Sequence, residues 1–196
     1  EIACSNNLKQ IGTSVALYLD DSEEFFPMAN ATDKAWSNNL YNYTKNKKIF
    51  YCGMDKNRKV TDWEDSVEKN VGKKISYGYN ILSIGHTSGY GPPWGGPVIP
   101  GGFSIKLSKI KSPSRMLVCL DSFRPDTYTG NEGYYVVVPN TPLWSDFIPC
   151  PRHGKGRSNV LFVDGHVKSM VTAEVARLDD NTQTGINKYQ YWSPMR

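Results

Sequence analysis

The sequence predicts an α+β domain in which an N-terminal amphipathic helix packs on an antiparallel β-sheet. Three observations support this fold class. Residues 5–21 repeat apolar side chains at helical spacing, several strand-like segments follow without alternating with further helices, and residues 159–171 have the pattern of a β-hairpin. With 196 residues, the chain has the size of a single domain that buries about two-thirds of its unfolded surface.

The N-terminal helix and its end occupy residues 1–27. Its apolar side chains recur at spacings of three and four residues and form one stripe, which consists of Leu8, Ile11, Val15 and Leu19. We expect this stripe to face the sheet, and Asn7, Gln10 and Ser14 to lie on the opposite face. Gly12 costs about 1 kcal/mol relative to alanine inside a helix, so a closely packed neighbour is expected beside it.

The middle of the chain, residues 28–111, is predicted to be irregular and variable. A second helix is expected at 35–43 and a strand at 75–81, with polar loops between them. Residues 85–102 contain seven Gly and four Pro, which excludes a helix or a central strand there. We therefore predict a long surface loop, of the kind that either carries function or tolerates insertions.

Residues 112–178 are expected to supply the C-terminal strands, and residues 179–196 a polar tail. The predicted elements are strands at 115–120 and 134–138, the hairpin at 159–171 and a short helix at 173–178. Asp121 follows the first of these strands, and we expect it at the strand end.

The hairpin prediction depends on the dipeptide Asp164-Gly165 between two apolar segments. This dipeptide favours a two-residue turn in which both residues have positive φ. Such a turn pairs Phe162 with Val167. It places Leu161 and Val163 together on the opposite face of the hairpin.

Composition excludes several classes of protein. The net charge of +4, from 23 basic and 19 acidic residues without a dense basic block, gives no sign of nucleic-acid binding. No stretch of 18 apolar residues is present to span a membrane. Because the sequence begins at Glu1 without Met or a signal-peptide pattern, we expect that an N-terminal segment has been removed.

Four cysteines, Cys4, Cys52, Cys119 and Cys150, are widely spaced and form no Cys-x-x-Cys motif. An even number is compatible with one or two disulfides in an exported domain. Cys119 lies in an apolar strand, where a buried thiol is equally suitable. Cys52 and Cys150 lie in loop-like surroundings, and we favour them as a pair.

A metal site is one interpretation of the C-terminal polar residues. His153, Asp164 and His166 fall within fourteen residues, and Asp121 could join Asp164 or His153 to bind Ca²⁺ through hard oxygen ligands. Asp164 also suits a turn for backbone reasons alone, so a structural role is favoured. The sequence has no nucleophile elbow, phosphate-binding loop or His-Glu-x-x-His motif, and we predict that the protein is not an enzyme.

Aromatic side chains in the loops and tail could form a surface for a sugar or peptide, although such residues more often pack onto the domain. The candidates are Tyr90, Trp94, Tyr189, Tyr191 and Trp192.

Residues 4–12 (CSNNLKQIG) and the later His153…Asp164-Gly165 together resemble pseudopilin-like proteins of type II secretion and type IV pilus systems. The family's C-terminal signature is His, about nine residues, then Asp-Gly; ten residues intervene here. Phe26-Pro27, Cys52, residues 76–80 and residues 112–121 also fall in the family's order. The signature residues, structural in the family, are Cys4, Asn7, Leu8, Gln10, Gly12, His153, Asn159, Asp164 and Gly165.

This resemblance implies a non-catalytic subunit with its head in the cell envelope, on the extracytoplasmic face of the inner membrane. A hydrophobic helix of about twenty residues, absent from this chain, would anchor it and continue into the N-terminal helix. Its partners would be other pilin or pseudopilin subunits and the secretion machinery. No cofactor is expected, with calcium the one metal that the resemblance allows. The alternative is an exported glycan- or peptide-binding module that uses the aromatic loop residues.

Overall fold

The computed structural model describes residues 1–31, 34–63, 73–81, 83–86, 103–124, 132–138, 148–176 and residue 192. Helix α1 spans Ile2–Asp21, and its predicted apolar stripe is buried. The neighbour expected at Gly12 is present, because a Cβ added there would lie 2.9 Å from Leu161 Cδ1. None of the helices in the described ranges is long and apolar enough to cross a membrane.

The outer face of α1 is narrower than predicted. Ser14 is buried and donates a hydrogen bond to the Gln10 carbonyl at 2.9 Å. Asn7 is half-buried and donates to the Tyr51 carbonyl at 3.0 Å. Of the three residues assigned to this face, only Gln10 is exposed, because the segment before Cys52 packs against the side of the helix.

The second helix and the first sheet strand form with slightly shifted bounds. The elements in this region are β1 (Asn30–Ala31), β2 (Lys34–Ala35), α2 (Trp36–Thr44), β3 (Tyr77–Asn80), β4 (Gly85–His86) and β5 (Phe103–Ser104), with 3₁₀ helices at Lys47–Phe50, Val60–Trp63 and Leu107–Lys109. Trp36 packs against Tyr79 with ring centroids 5.2 Å apart, which joins α2 to β3 inside the core.

The C-terminal region supplies most of the main sheet. Its elements are β6 (Leu117–Phe123), β7 (Val136–Val137), β8 (Ile148–Pro149), β9 (Arg157–Phe162), β10 (Val167–Val171) and α3 (Thr172–Ala176). Among the described residues the sheet has the strand order β10-β9-β6-β3-β7, and β8 pairs with the end of β6. The α+β class is confirmed. The sheet is mixed rather than purely antiparallel, because β7 runs parallel to β3.

The predicted register of the C-terminal hairpin is wrong by one residue. Val167 pairs with Leu161 rather than with Phe162. Gly165 N–H donates to the Phe162 carbonyl at 2.9 Å, and of the turn residues only Gly165 has positive φ, at 86°. This is a three-residue connection that ends in a glycine bulge, so Asp164 does not need positive φ.

Both faces of the sheet are covered. Leu161 lies in the larger core cluster together with the apolar stripe of α1. Val160, one residue earlier on β9, lies in a second cluster with Val175 of α3 and with Trp192. This alternation agrees with the predicted faces of the hairpin.

Candidate functional site

Six polar or ionisable side chains meet between the first turn of α1, the segment after the first 3₁₀ helix, strand β6 and the segment before β9. We call this group the buried polar centre, and it consists of Cys4, Cys52, Asp55, Asp121, Arg152 and His153. Asp121 is fully buried, and the Arg152 side chain is only 5% exposed. Buried charges are costly unless they are paired, so their contacts determine what the centre can do.

Two thiols form one side of the centre. Cys4 Sγ lies 2.9 Å from Cys52 Sγ, and Cys52 Sγ lies 3.8 Å from His153 Nε2. A hydrogen bond from Cys52 lowers the pKa of the Cys4 thiol to about 5. The same hydrogen bond and burial raise the pKa of Cys52. The two thiols are therefore not equivalent, and Cys4 is the one that gives up its proton more readily.

An imidazole–carboxylate pair forms the centre's second part. His153 Nε2 lies 3.0 Å from Asp121 Oδ2, which also accepts the Asn159 backbone N–H at 2.7 Å. The hydrogen bond to Asp121 raises the pKa of His153, although burial opposes this. His153 is held in place by paired backbone hydrogen bonds with Arg157, which close a tight turn before β9.

Arg152 joins the carboxylates to the sheet. Its guanidinium lies 3.2 Å from Asp55 Oδ2 and 3.6 Å from Asp121 Oδ1. It also donates to the carbonyls of Ser76 and Ser122, at 3.0 and 2.8 Å. When His153 is protonated, the charges of the two carboxylates balance those of the imidazole and the guanidinium. The guanidinium also links β6 to the residue just before β3 through its two carbonyl contacts.

The three predicted metal residues do not assemble. Asp121 and His153 come together, but Asp121 lies inside β6 rather than at its end, because the strand continues to Phe123. Asp164 is exposed at the hairpin turn and pairs instead with His166 Nδ1 at 2.6 Å. Its short distance to this neighbour follows from the turn, which brings residues two apart in sequence together.

The thiols change which metal the centre could accept. The ligand atoms of Cys4, Cys52 and His153 all lie within 4.8 Å of one another. Thiolate and imidazole are ligands of zinc, whereas calcium takes six to eight oxygen atoms. Calcium, the one metal allowed from the resemblance, therefore does not fit this donor set.

The order Cys52, His153, Asp121 superficially resembles the triad of a cysteine hydrolase. In such a triad, the base uses one ring nitrogen for the nucleophile and the other for the carboxylate. Here both partners lie on Nε2, and Cys52 is 2% exposed, so no substrate reaches the sulfur in this structure. The geometry does not support nucleophilic catalysis by this centre.

The favoured pairing of Cys52 with Cys150 is not what the structure shows. All four cysteines are thiols, and Cys52 lies against Cys4. Burial raises the pKa of Cys150 to about 11. Cys119 is buried in β6, which agrees with its interpretation as a buried thiol. No local spacing signals the pair of Cys4 and Cys52; the available clue is that both occur among the landmarks of the family resemblance.

Of the aromatic candidates for a ligand surface, Tyr90, Trp94, Tyr189 and Tyr191 lie outside the described residues. Trp192 is 1% exposed, and its indole N–H donates to the Val175 carbonyl at 2.9 Å. Its assignment to a ligand surface is therefore wrong, because the ring closes the second core cluster.

Comparisons with protein-family models, with curated proteins and with solved structures find no match to this chain. Its resemblance to pseudopilin-like proteins therefore stays a prediction.

Proposed function

We propose that this chain is the head of a non-catalytic, pseudopilin-like subunit of a type II secretion or type IV pilus-like assembly. In this proposal the head lies on the extracytoplasmic side of the inner membrane, and α1 continues a membrane anchor. The observation that carries the proposal is that the two segments responsible for the family resemblance, which lie at opposite ends of the chain, pack directly on each other.

The first of these contacts lies at the middle of α1. A Cβ at Gly12 would approach Leu161 Cδ1 to 2.9 Å and Gly165 Cα to 3.7 Å, so the glycine lets the helix lie close to the C-terminal hairpin. The second contact is the buried polar centre, where Cys4 and His153 share Cys52 as a neighbour. Both contacts hold α1 against the sheet. A subunit whose role is structural needs its helix fixed to its head in this way.

The free face of α1 supplies a surface for neighbouring subunits. Exposed residues recur there at helical spacing, namely Ile2, Asn6, Gln10, Thr13 and Leu17. Leu17 remains 49% exposed although it is apolar, and Ile2 is 79% exposed. These two residues are about 22 Å apart along the helix, at 1.5 Å per residue. A second pilin-like helix laid along this face would cover both.

The test uses the full-length protein in its own cells. A photo-cross-linking residue replaces Leu17, and the matched control replaces Lys59, which is exposed but is not part of α1. We expect adducts with pilin-like subunits from position 17 and none from position 59. The intact mass of the membrane-extracted protein should reveal a processed N-terminus followed by about twenty apolar residues.

The opposite pair of results overturns the proposal. A secretory signal cleaved directly before Glu1, together with an absence of adducts from position 17, would define a freely exported domain instead.

A further inference from the structure

We propose that Cys4 and Cys52 form an intramolecular disulfide that fastens the first turn of α1 to the head. The two sulfur atoms lie 2.9 Å apart, closer than the roughly 3.5–4.0 Å of ordinary non-bonded contact between carbon atoms, which are smaller than sulfur. They belong to parts of the chain that are 48 residues apart, and both are buried. Folding alone therefore brings these two thiols into contact.

A disulfide fits the surrounding hydrogen bonds better than a bound metal ion does. A metal held by both sulfurs and His153 needs the Nε2 atom, which already contacts Asp121 at 3.0 Å. Asp121 in turn holds the Asn159 backbone N–H and faces Arg152. Forming a sulfur–sulfur bond uses only the two thiols and leaves this network in place.

The reaction is an ordinary thiol–disulfide exchange. Both sulfur atoms are buried in the folded head, so the exchange takes place while the chain is folding, when the Cys4 thiolate can reach and attack a disulfide of an exported thiol oxidase. One oxidase sulfur leaves as a thiolate and takes the proton of Cys52. The Cys52 thiolate then attacks the Cys4 sulfur of the mixed disulfide and releases the second oxidase thiolate. The two cysteines together lose two electrons, and the oxidase disulfide is reduced to one thiol and one thiolate, which takes up a proton from water.

The bond has a mechanical consequence, and this part rests on the proposed function. In an anchored subunit, tension from the membrane enters the head through the N-terminal end of α1. Cys4 lies in the first turn of that helix. The disulfide would therefore bear the tension and prevent α1 from separating from the sheet. The burial of both sulfur atoms also shields the bond from reductants while the head is folded.

Peptide mapping of the protein extracted from its own cell envelope tests the inference directly. The protein is unfolded with an alkylating agent and without a reductant, and then digested. We expect the peptides containing Cys4 and Cys52 to be linked, and Cys119 and Cys150 to be alkylated. Alkylation of both Cys4 and Cys52, with or without one zinc ion per chain, would overturn the proposal, as would a link from Cys52 to Cys150.

A melting experiment tests the contribution of the bond. Prior reduction should lower the Tm of the wild type by roughly 10 °C, as expected for a loop of this length in a protein of this size. Cys150→Ser should retain that shift, and Cys4→Ser should lose it. An equal shift in Cys4→Ser contradicts the inference, and the mapping stands independently if this variant does not fold.

The experiments can contradict the disulfide and the proposed assembly independently of each other. A linked pair in a protein that forms no subunit adducts supports the disulfide and not the assembly. Adducts from position 17 in a fully alkylated protein support the assembly and not the disulfide.

Discussion

The same substitution at two Asp–His pairs tests how the molecule uses its acidic residues. Asp121 contacts His153 in the buried polar centre, and Asp164 contacts His166 at the hairpin turn, at 3.0 and 2.6 Å. The sequence placed both carboxylates in one candidate metal site. The structure places one pair in the core, with both side chains at most 1% exposed, and the other at the surface.

The expected loss of stability differs sharply between the two sites. In Asp121→Asn the side chain keeps its shape but loses the charge that faces His153 and Arg152 and accepts the Asn159 N–H. Breaking a buried ion pair on one side costs roughly 3–5 kcal/mol, so we expect a loss of about 4 kcal/mol and a Tm about 10 °C lower. In Asp164→Asn we expect a loss of at most about 1 kcal/mol, because a solvated ion pair is worth only roughly 0–1 kcal/mol. The amide oxygen of the asparagine can also still accept the nearby backbone N–H.

Urea unfolding followed by tryptophan fluorescence measures both variants on one scale. Equal losses in the two variants, or a loss below about 1 kcal/mol in Asp121→Asn, would refute the assignment of Asp121 to a charge-balanced buried centre.

Two further predictions concern the helix and the imidazole. Ile11→Asp should lower the unfolding free energy by more than about 4 kcal/mol or prevent folding, because Ile11 is fully buried, whereas Gln10→Asp on the exposed face should change it by less than about 0.5 kcal/mol. Similar melting shifts for the two variants would contradict the helix orientation. Because Asp121 raises the pKa of His153, the protonated imidazole stabilises the fold below about pH 6.5, and this contribution is lost as the pH rises through the raised pKa. Unfolding free energy measured from about pH 6 upward should therefore fall in the wild type and fall less in His153→Gln; parallel curves would show that this pair does not contribute.

Much of the architecture could be predicted because it depends on local periodicity. The apolar repeat of α1, the helix that begins at Trp36 and the apolar run of β6 each carry their own signal. The hairpin was predictable, but its register was not, because a two-residue turn and a three-residue turn with a bulge both place glycine near position 165. The parallel pairing of β7 with β3 involves strands too short to signal direction.

The site was less predictable than the fold. Sequence patterns identified Asp121 and His153 as chemically interesting, but the thiols that complete the centre come from distant segments with no shared motif. Arg152 and Asp55 carry no signal of burial in the sequence, because charged residues are usually exposed. Their burial depends on one another, and mutual charge compensation of this kind has no local signature in a sequence.

The contact between Gly12 and Leu161 affects how the protein is made. The helix is synthesised well before the hairpin that receives it, so the apolar stripe of α1 has no partner on β9 while the chain between them is still growing. Long-range pairings of this kind slow folding, because chain entropy is lost before the contact is gained. Until β9 has been made, the apolar stripe lacks the surface that buries it in the folded head, and α1 cannot take its final position.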